Sequence, residues 1–299
     1  MSDLRVHKTK YINETKRVSF KYDGKNYFGY EGDTLASALL ANGVHLIGRS
    51  FKYHRPRGIM SCGSEEPNAI CQISDKNDLT EPNVRATELE IYDGLEAFSQ
   101  NCWPNVKFDI GGINNLISPL IPAGFYYKTF MWPKSFWKKV YEPLIRMSAG
   151  LGKSPTEPDP DIYDHKYVHY DVLVIGGGLS GIISAKIAAK SNLKTLLVDD
   201  KKTLGGSTIF QNNDSFKIDD QHSSKWLEKE INEISEIENL TVKTRTSIAA
   251  YHGYNYLLAR ENLTDHLSIK DKKDKIRQRL WKIRAVSYTH LRAHETSLH

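Results

Sequence analysis

Alternating apolar and polar positions mark two short segments near the beginning of the chain. Arg17 to Tyr22 and Lys25 to Tyr30 both show apolar and aromatic alternation, and Asp23-Gly24 separates them. Asp-Gly favours the tight turn of a β-hairpin, because both central residues of that turn need positive φ. The pattern therefore predicts two antiparallel strands.

A helix is expected directly after this hairpin. Asp33 can cap a helix over Thr34 to Ala41, and Asn42-Gly43 can end it through a left-handed residue. The order strand, strand, helix resembles the β-grasp ferredoxin fold. We therefore assign residues 1–110 to a ferredoxin-like (β-grasp) module.

The cysteines of this module do not suit an iron–sulfur cluster. The chain has three, Cys62, Cys71 and Cys102, whereas a 2Fe-2S cluster needs four converging thiolates, typically with three on one loop. Their odd number and irregular spacing also argue against a disulfide framework. We expect reduced thiols and a module without iron.

A connector rich in aromatic and proline residues is predicted over residues 111–168. Eight aromatic residues occur between Pro122 and Pro143: Phe125, Tyr126, Tyr127, Phe130, Trp132, Phe136, Trp137 and Tyr141. We expect them mainly to pack, because such side chains bury large areas; a stacking platform for flavin or nucleic acid is the alternative. Three prolines between Ser154 and Pro160 then predict a stiff linker.

A second pattern begins after the linker and predicts a parallel sheet. Tyr170 to Ile175 is a nearly continuous apolar run, which is typical of a strand covered on both faces. Gly176, Gly177, Gly178, Leu179, Ser180 and Gly181 follow it. A helix is then expected over Leu179 to Ser191, and a second strand over Lys194 to Val198.

The glycine spacing matches the dinucleotide-binding fingerprint. In that fingerprint Gly176 permits a sharp turn, Gly178 lets the main chain approach a pyrophosphate, and Gly181 allows close packing of helix on strand. The first turn of the helix directs backbone N–H groups at the phosphates. We therefore predict an α/β fold over residues 169–285, an incomplete doubly wound (Rossmann-type) NAD/FAD-binding domain.

An acidic residue lies where this fingerprint places its ribose-binding carboxylate. Asp199 aligns best and Asp200 is the second candidate. A carboxylate there accepts hydrogen bonds from ribose hydroxyls and repels a 2′-phosphate, so NAD or FAD is favoured over NADP. Gly205, Gly206 and Ser207 allow a close loop beside the cofactor, or form a simple turn.

Composition and charge indicate a globular protein that binds neither nucleic acid nor membranes. Hydrophobic residues make up 39% and charged residues 26% of the chain, as in ordinary globular proteins. The net charge of +5 comes from one stretch, Ile269 to Ala285, which has eight Lys or Arg and two Asp. We therefore expect no nucleic-acid partner. Without a signal peptide or a long apolar run, we expect no membrane association and a cytoplasmic location.

Three longer stretches resemble alpha subunits of heterotetrameric sarcosine oxidase: GDTLASALLANG (32–43), GRSFKYHRPRG (48–58) and PAGFYYKTFMWP (122–133). Shorter similar stretches extend the resemblance to Ala285. It implies a complex of alpha, beta, gamma and delta subunits that oxidises sarcosine to glycine, forms hydrogen peroxide and passes the methyl carbon to tetrahydrofolate.

The same resemblance implies a division of cofactors. The alpha dinucleotide domain holds NAD, FAD in beta performs the amine oxidation, FMN lies at the alpha–beta boundary, and tetrahydrofolate binds a further C-terminal domain. The NAD site is then lined by Ser180, Asp199, Asp200, Lys201 and Ser207, with Ile248 near the adenine. No catalytic and no metal-binding residue is assigned to this chain.

The resemblance ends at Ala285. Residues 286–299 resemble translated adaptor sequence, and we expect them to be foreign, which also accounts for His290, His294 and His299 without a metal site.

Two functional alternatives stay open: a related amine, proline or opine dehydrogenase subunit, and a non-catalytic assembly scaffold. The cluster Arg49, Lys52, His54, Arg55 and Arg57 either contacts a flavin phosphate or a subunit, or is a solvated loop.

Overall fold

The computed structural model describes residues 4–5, 11–74, 80–116, 118–120, 132–148, 150–210 and 216–290. The chain divides into two compact units. One comprises Met1–Pro160 with His266–Asp271, and the other comprises Asp161–Asp265 with Lys272–His299.

The first unit is built mainly of strands. Its strands are β1 (Asn13–Tyr22), β2 (Lys25–Glu31), β3 (Gly48–Arg49), β4 (Pro56–Arg57), β5 (Ile70–Ser74), β6 (Thr80–Arg85) and β7 (Leu95–Ser99). Its helices are α1 (Leu35–Ala41), two 3-10 turns (Ile110–Asn115 and Ser118–Leu120), a π-helical turn (Trp137–Tyr141) and α2 (Glu142–Ser148).

Five of these strands form a mixed sheet in the order β2-β1-β7-β5-β6. The predicted hairpin is confirmed, because β1 and β2 pair in antiparallel register with Tyr22 opposite Lys25. Asp23 and Gly24 have φ values of 47° and 73°, as the tight turn requires. β7 then pairs with β1 in parallel, which brings the last strand to the centre of the sheet.

Helix α1 starts one residue later than the sequence predicts. Thr34, rather than Asp33, is its cap: the Thr34 hydroxyl accepts the Ser37 N–H, and the Ser37 hydroxyl accepts the Thr34 N–H. Asp33 instead accepts the Tyr30 N–H at 2.9 Å and pairs with Arg5. Its carboxylate therefore joins the hairpin to the helix start. Asn42 and Gly43 end the helix as predicted.

The core of this unit lies between α1 and the sheet. Its largest fully buried side chains include Leu35, Leu39, Ile47 and Leu95. Fully burying one such side chain stabilises a fold by about 1.5–3 kcal/mol, so this small sheet has a core of its own.

The aromatic connector is only partly described. Phe125, Tyr126, Tyr127 and Phe130 lie outside the described residues. Trp132 is 81% exposed, and Phe136 and Trp137 are each 47% exposed. The packing expected for these three is therefore wrong in this chain: Trp137 begins the π-helical turn and Phe136 directly precedes it, and neither ring is buried.

The second unit contains β8 (Ile162–Ile175), α3 (Leu179–Lys190), β9 (Thr195–Val198), a 3-10 turn (Gly206–Phe210), β10 (Lys217–Ile218), β11 (Gln221–His222), α4 (Ser223–Ser235), β12 (Leu240–Lys243), β13 (Thr246–His252), β14 (Tyr256–Asn262) and β15 (Ile276–His290). A short helix, α5 (Ile269–Lys272), precedes β15 in the chain, and its first three residues belong to the first unit. The last strand thus continues past Ala285.

Six of these strands form a sheet in the order β12-β9-β8-β15-β14-β13. The first four pair in parallel, and β13 and β14 add an antiparallel edge. Helices α3 and α4 cover one face, where Ile182, Leu227 and Ile234 are buried against Leu197. The opposite face buries Leu173, Leu196, Leu257 and Ile283.

Two arginines of the basic stretch near the end of this unit form ion pairs. Arg277 contacts Asp161 at 2.7 Å and Asp265 at 2.6 Å, and Arg279 contacts Asp164 at 2.8 Å.

Among the helices of the described residues, none combines the length and apolar character needed to cross a membrane.

Candidate functional site

The glycine-rich loop joins the carboxyl end of β8 to the first turn of α3. Gly176 has a φ of 104°, a region that favours glycine, and there the chain leaves the strand. A Cβ built on Gly181 would lie 1.8 Å from the Gly176 carbonyl oxygen. Helix α3 therefore packs against the end of β8 at a distance that only glycine permits.

Gly178 differs from the neighbouring glycines, because neither its backbone conformation nor the packing around it requires a glycine. Its φ of −72° and ψ of −176° are ordinary extended values. A Cβ added to it would meet no atom of the described residues within 4 Å. This leaves room beside Gly178 for the close approach of a ligand.

The first turn of α3 presents backbone amides at this place. The first intrahelical hydrogen bond is donated by Ile182 N to Gly178 O at 2.9 Å, so the amides of Leu179, Ser180 and Gly181 precede it. These groups and the aligned peptide dipoles act as about half a positive charge. The arrangement suits a phosphate or another anion.

Gly205 and Gly206 form a second wall of bare main chain. Gly205 N donates to Gly177 O at 2.7 Å, and Gly205 and Gly178 form a parallel bridge. A Cβ on Gly206 would lie 3.0 Å from the Gly178 Cα, and both Gly205 and Gly206 have positive φ. The structure thus brings two glycine segments together, with Ser207 exposed at the start of the following turn.

Asp199 lies at the end of β9 and is 8% exposed. One carboxylate oxygen accepts the Gly177 N–H at 2.5 Å, and the other accepts the Lys201 N–H at 2.8 Å. The side chain therefore holds the glycine loop to the end of the neighbouring strand. Each carboxylate oxygen has a further lone pair with which it can accept a ribose hydroxyl.

Burial raises the pKa of Asp199 above its ordinary value. The two backbone hydrogen bonds from Lys201 and Gly177 act in the opposite direction, and the charge of Asp200 adds to the increase. Because the folded pKa exceeds the unfolded one, the folded state binds the proton more tightly. The stability from this group is therefore greatest below the unfolded pKa and falls as pH rises through the folded pKa.

We expect the free energy of unfolding of the wild type, relative to that of Asp199→Asn, to fall as pH rises from about 4 to 7, because the buried carboxyl ionises as pH rises through its raised pKa and an amide does not titrate. Urea denaturation at several pH values across this range measures the difference. Asp200→Asn is the matched control, and equal behaviour of the two variants would contradict the assignment.

The remaining predicted residues lie around the same carboxylate. Asp200 is exposed and Lys201 is half-buried. Thr246 N donates to Asp199 O at 2.8 Å, and Arg245 N donates to Lys201 O at 2.8 Å. These bonds place the beginning of β13 beside the end of β9, so Ile248 lies two residues from a direct contact with Asp199.

Two residues of this site were not predicted from the sequence. A Cβ on Gly177 would lie 2.3 Å from the Leu204 side chain, so the buried Leu204 would have to move if position 177 carried a side chain. Thr246 anchors Asp199 from a strand that begins 47 residues later. Neither has a local sequence signal, because both act through contacts between distant segments.

The basic cluster of the first unit has a structural role. The Arg49 guanidinium donates to the carbonyl oxygens of Val106, His54 and Lys107, and His54 Nδ1 lies 2.6 Å from Asp109 Oδ2. Arg55 donates to Asn115 at 3.0 Å. These bonds tie the β3–β4 loop to residues 106–115.

The three cysteines lie in different environments. Cys71 is fully buried in β5, where burial raises the pKa of its thiol to about 12. Burial also raises the pKa of Cys102, whose sulfur lies 3.4 Å from the Ser99 hydroxyl, and Cys62 is exposed in a loop. Among the described residues no three His, Cys, Asp or Glu side chains converge as metal ligands.

Two family models match the chain, one in each unit. Residues 15–102 match a model described as a 2Fe-2S iron-sulfur cluster binding domain, and residues 171–256 match one described as FAD dependent oxidoreductase. The glycine crevice and Asp199 fit a dinucleotide. The cysteines do not fit a cluster, because three separated thiols cannot supply four ligands.

A solved structure shares the fold of both units. L-proline dehydrogenase from P.horikoshii superposes with a TM-score of 0.57 at 18% identity, covering 97% of this chain and 42% of that one. Together with the two family models, this likeness confirms the predicted fold class: a ferredoxin-like module followed by a Rossmann-type α/β domain.

Curated relatives extend the match along almost the whole chain. Sarcosine oxidase subunit alpha of Rhizobium meliloti (strain 1021) is 44% identical over 283 residues, and that of Corynebacterium sp. (strain U-96) is 29% identical over 276 residues. A shorter match, 40% over 52 residues, is to pseudooxynicotine dehydrogenase of Pseudomonas sp. The alignments with the two alpha subunits cover 95% and 92% of this chain but 28% and 23% of those proteins. The chain is therefore a homologue of sarcosine oxidase subunit alpha, spanning about a quarter of the length of these relatives.

Proposed function

We propose that this chain supplies the NAD-binding domain of an amine-oxidising complex of the sarcosine oxidase type. The observation that carries the proposal is the crevice of bare main chain at the end of β8. Gly178 has open space where a side chain would lie, and Gly206 lies against it. Nothing in the packing of the protein requires that space.

The chain's own residues would hold the dinucleotide as follows. The amides of Leu179 and Ser180, with the dipole of α3, would neutralise the pyrophosphate beside Gly178. Asp199 and Asp200 would accept the ribose hydroxyls. Lys201, Ser207 and Ile248 would complete the adenosine end of the site.

The choice of NAD over FAD comes from the resemblance to sarcosine oxidase alpha subunits. A carboxylate at Asp199 accepts ribose hydroxyls of either cofactor, and the matching family model is described by FAD. When bound, a nicotinamide or flavin supplies two-electron transfer. The protein contributes binding, orientation and the low dielectric of the crevice.

The nucleotide itself provides the first test. The purified chain is denatured, and the released nucleotide is identified by chromatography against NAD and FAD standards. We expect NAD and no flavin absorbance near 450 nm. Stoichiometric FAD would overturn the choice of NAD but keep the crevice. Failure to retain or bind either cofactor would overturn both.

We further propose that the reaction of the complete complex is the oxidative demethylation of sarcosine to glycine. Two electrons leave the methyl–amine unit and oxygen accepts them as hydrogen peroxide, while the methyl carbon passes to tetrahydrofolate. The partners would be beta, gamma and delta subunits, with FAD in beta and FMN at the alpha–beta boundary. The complex would be cytoplasmic, and this domain would perform none of the substrate chemistry.

The activity is tested by co-expressing the chain with the products of the neighbouring genes. Co-purification with flavin-containing subunits and sarcosine-dependent peroxide formation is the expected result. Activity with proline or an opine, but not with sarcosine, would identify a related amine dehydrogenase instead. Assembly with undiminished activity when Gly178 is replaced by valine would favour a scaffold over a cofactor-binding role.

A further inference from the structure

A buried carboxylate lies inside the loop between β4 and β5 of the β-grasp module. Glu66 is 1% exposed, although its neighbours Glu65 and Pro67 are exposed. A charged group rarely lies so deep unless it is fully hydrogen-bonded, because removing a carboxylate from water is costly. Its partners therefore indicate what it does.

Four backbone N–H groups converge on this single carboxylate. Met60 N and Ser61 N donate to one oxygen at 2.7 and 2.6 Å. Asn68 N and Ala69 N donate to the other at 2.7 and 3.1 Å. Both arms of the loop, residues 60–61 and 68–69, are thus joined through one side chain.

A second bond closes the same loop from the sheet side. The buried Thr87 hydroxyl donates to Gly63 O at 2.7 Å. The carboxylate and this hydroxyl together satisfy main-chain groups that would otherwise be buried without partners. Burial opposes ionisation of Glu66, but the four N–H bonds outweigh it and hold its pKa below the ordinary range.

The three thiols of the module lie in separate environments. Cys62 is exposed, Cys71 is buried in the core within β5, and Cys102 lies beside Ser99. The description of the matching family model and the thiols of this chain therefore disagree, because three separated thiols cannot supply four ligands. The four loop amides donate instead to the Glu66 carboxylate, which is an anion of the protein itself.

We infer that the loop 60–69 closes around the Glu66 carboxylate instead of an iron–sulfur cluster, which makes Glu66 the residue that positions this loop. This inference rests on different residues from the proposed NAD site and stands or fails separately from it.

The test compares Glu66→Gln with Glu65→Gln in the whole chain. An amide at position 66 can accept from one arm of the loop only and opposes the N–H groups of the other. We expect amide exchange in peptides covering residues 60–61 and 68–69 to accelerate about 100-fold, as expected for the loss of one or two charge-assisted bonds. Glu65→Gln, at an exposed neighbouring position, should leave exchange within about 3-fold of the wild type. Equal protection in the two variants would overturn the inference.

Two measurements on the wild type keep the inference testable if Glu66→Gln does not fold. In a carboxyl NMR titration, Glu66 should ionise below the ordinary range of glutamate, and the four amide resonances should follow the same midpoint. An ordinary midpoint that these amides do not follow would contradict the role of Glu66. Anaerobic reconstitution with iron and sulfide should leave no labile sulfide on the protein. Two iron atoms per chain with dithionite-bleachable visible absorbance would refute the inference.

Discussion

Gly181→Ala is expected to unfold the dinucleotide-binding sheet, with a loss of at least about 3 kcal/mol in its free energy of unfolding. The new methyl group would lie 1.8 Å from the Gly176 carbonyl oxygen and 2.9 Å from its carbon. Both atoms belong to the main chain at the end of β8, so no rotamer change relieves the overlap. Helix α3 would have to move away from the strand and open the core around Ile182.

Hydrogen exchange measured peptide by peptide is the appropriate readout. Peptides covering β8 and α3 should lose protection, while those covering β1 and β7 report on a sheet with its own core. Gly253→Ala is the matched control, because a Cβ at Gly253 meets nothing within 4 Å. A Gly181→Ala protein as stable as this control would show that the close approach of α3 to β8 is wrong.

Gly178→Val is expected to have the opposite profile, with binding lost and folding kept. Position 178 has ordinary extended dihedral angles, and a Cβ there meets no atom of the described residues within 4 Å, so the main chain accepts a side chain. The side chain would fill the approach to the first-turn amides of α3. We expect dinucleotide affinity to fall at least about 100-fold, equivalent to about 2.7 kcal/mol. Stability should fall by no more than about 2 kcal/mol, the usual upper range for the loss of a favourable cap residue.

Calorimetric titration with NAD and urea denaturation together measure both effects. Gly253→Val makes the same substitution in open space on the β13–β14 turn and should leave affinity unchanged. Unchanged affinity in Gly178→Val would remove the crevice as the binding site. A large loss of stability would mean that Gly178 is needed for folding. That result would contradict the open space found beside this residue.

The two glycines illustrate what the fingerprint leaves undecided. Gly178 and Gly181 lie three residues apart in one motif, and the sequence predicts a role for each. Only the atoms around them separate the roles. The neighbour of Gly181 is a carbonyl of its own chain, whereas the neighbour of Gly178 is empty space. One substitution therefore reports on folding and the other on ligand binding.

Local elements of the fold were predictable because they depend on adjacent residues. The Asp23-Gly24 turn follows from backbone sterics, and helix α3 follows from the glycine loop and the apolar positions after it. The cap of α1 was less predictable, since Asp33 and Thr34 are both good capping residues. Thr34 caps because Asp33 is committed to Tyr30 and Arg5, and Arg5 is distant in sequence.

The sequence predicted which residues form the candidate site, but not the hydrogen bonds that they make within the protein. Asp199 was expected to meet a ribose, and its contacts with Gly177 and Lys201 add a structural task. Glu66 gave no signal at all, because its partners are backbone amides and any residue can supply them. A carboxylate that organises main chain leaves no recognisable partner in the sequence.

By itself the sequence determined the hairpin, the strand–glycine–helix unit, the acid after the second strand and the absence of four thiols for a cluster. These features depend on steric preferences within a few residues or on residue type alone. The tertiary structure alone decided that β15 pairs with β8, that Gly205 and Gly206 face Gly178, and that Glu66 lies buried. These three contacts arise from the packing and hydrogen bonding of whole elements. Packing of this kind leaves no pattern among adjacent residues in the sequence.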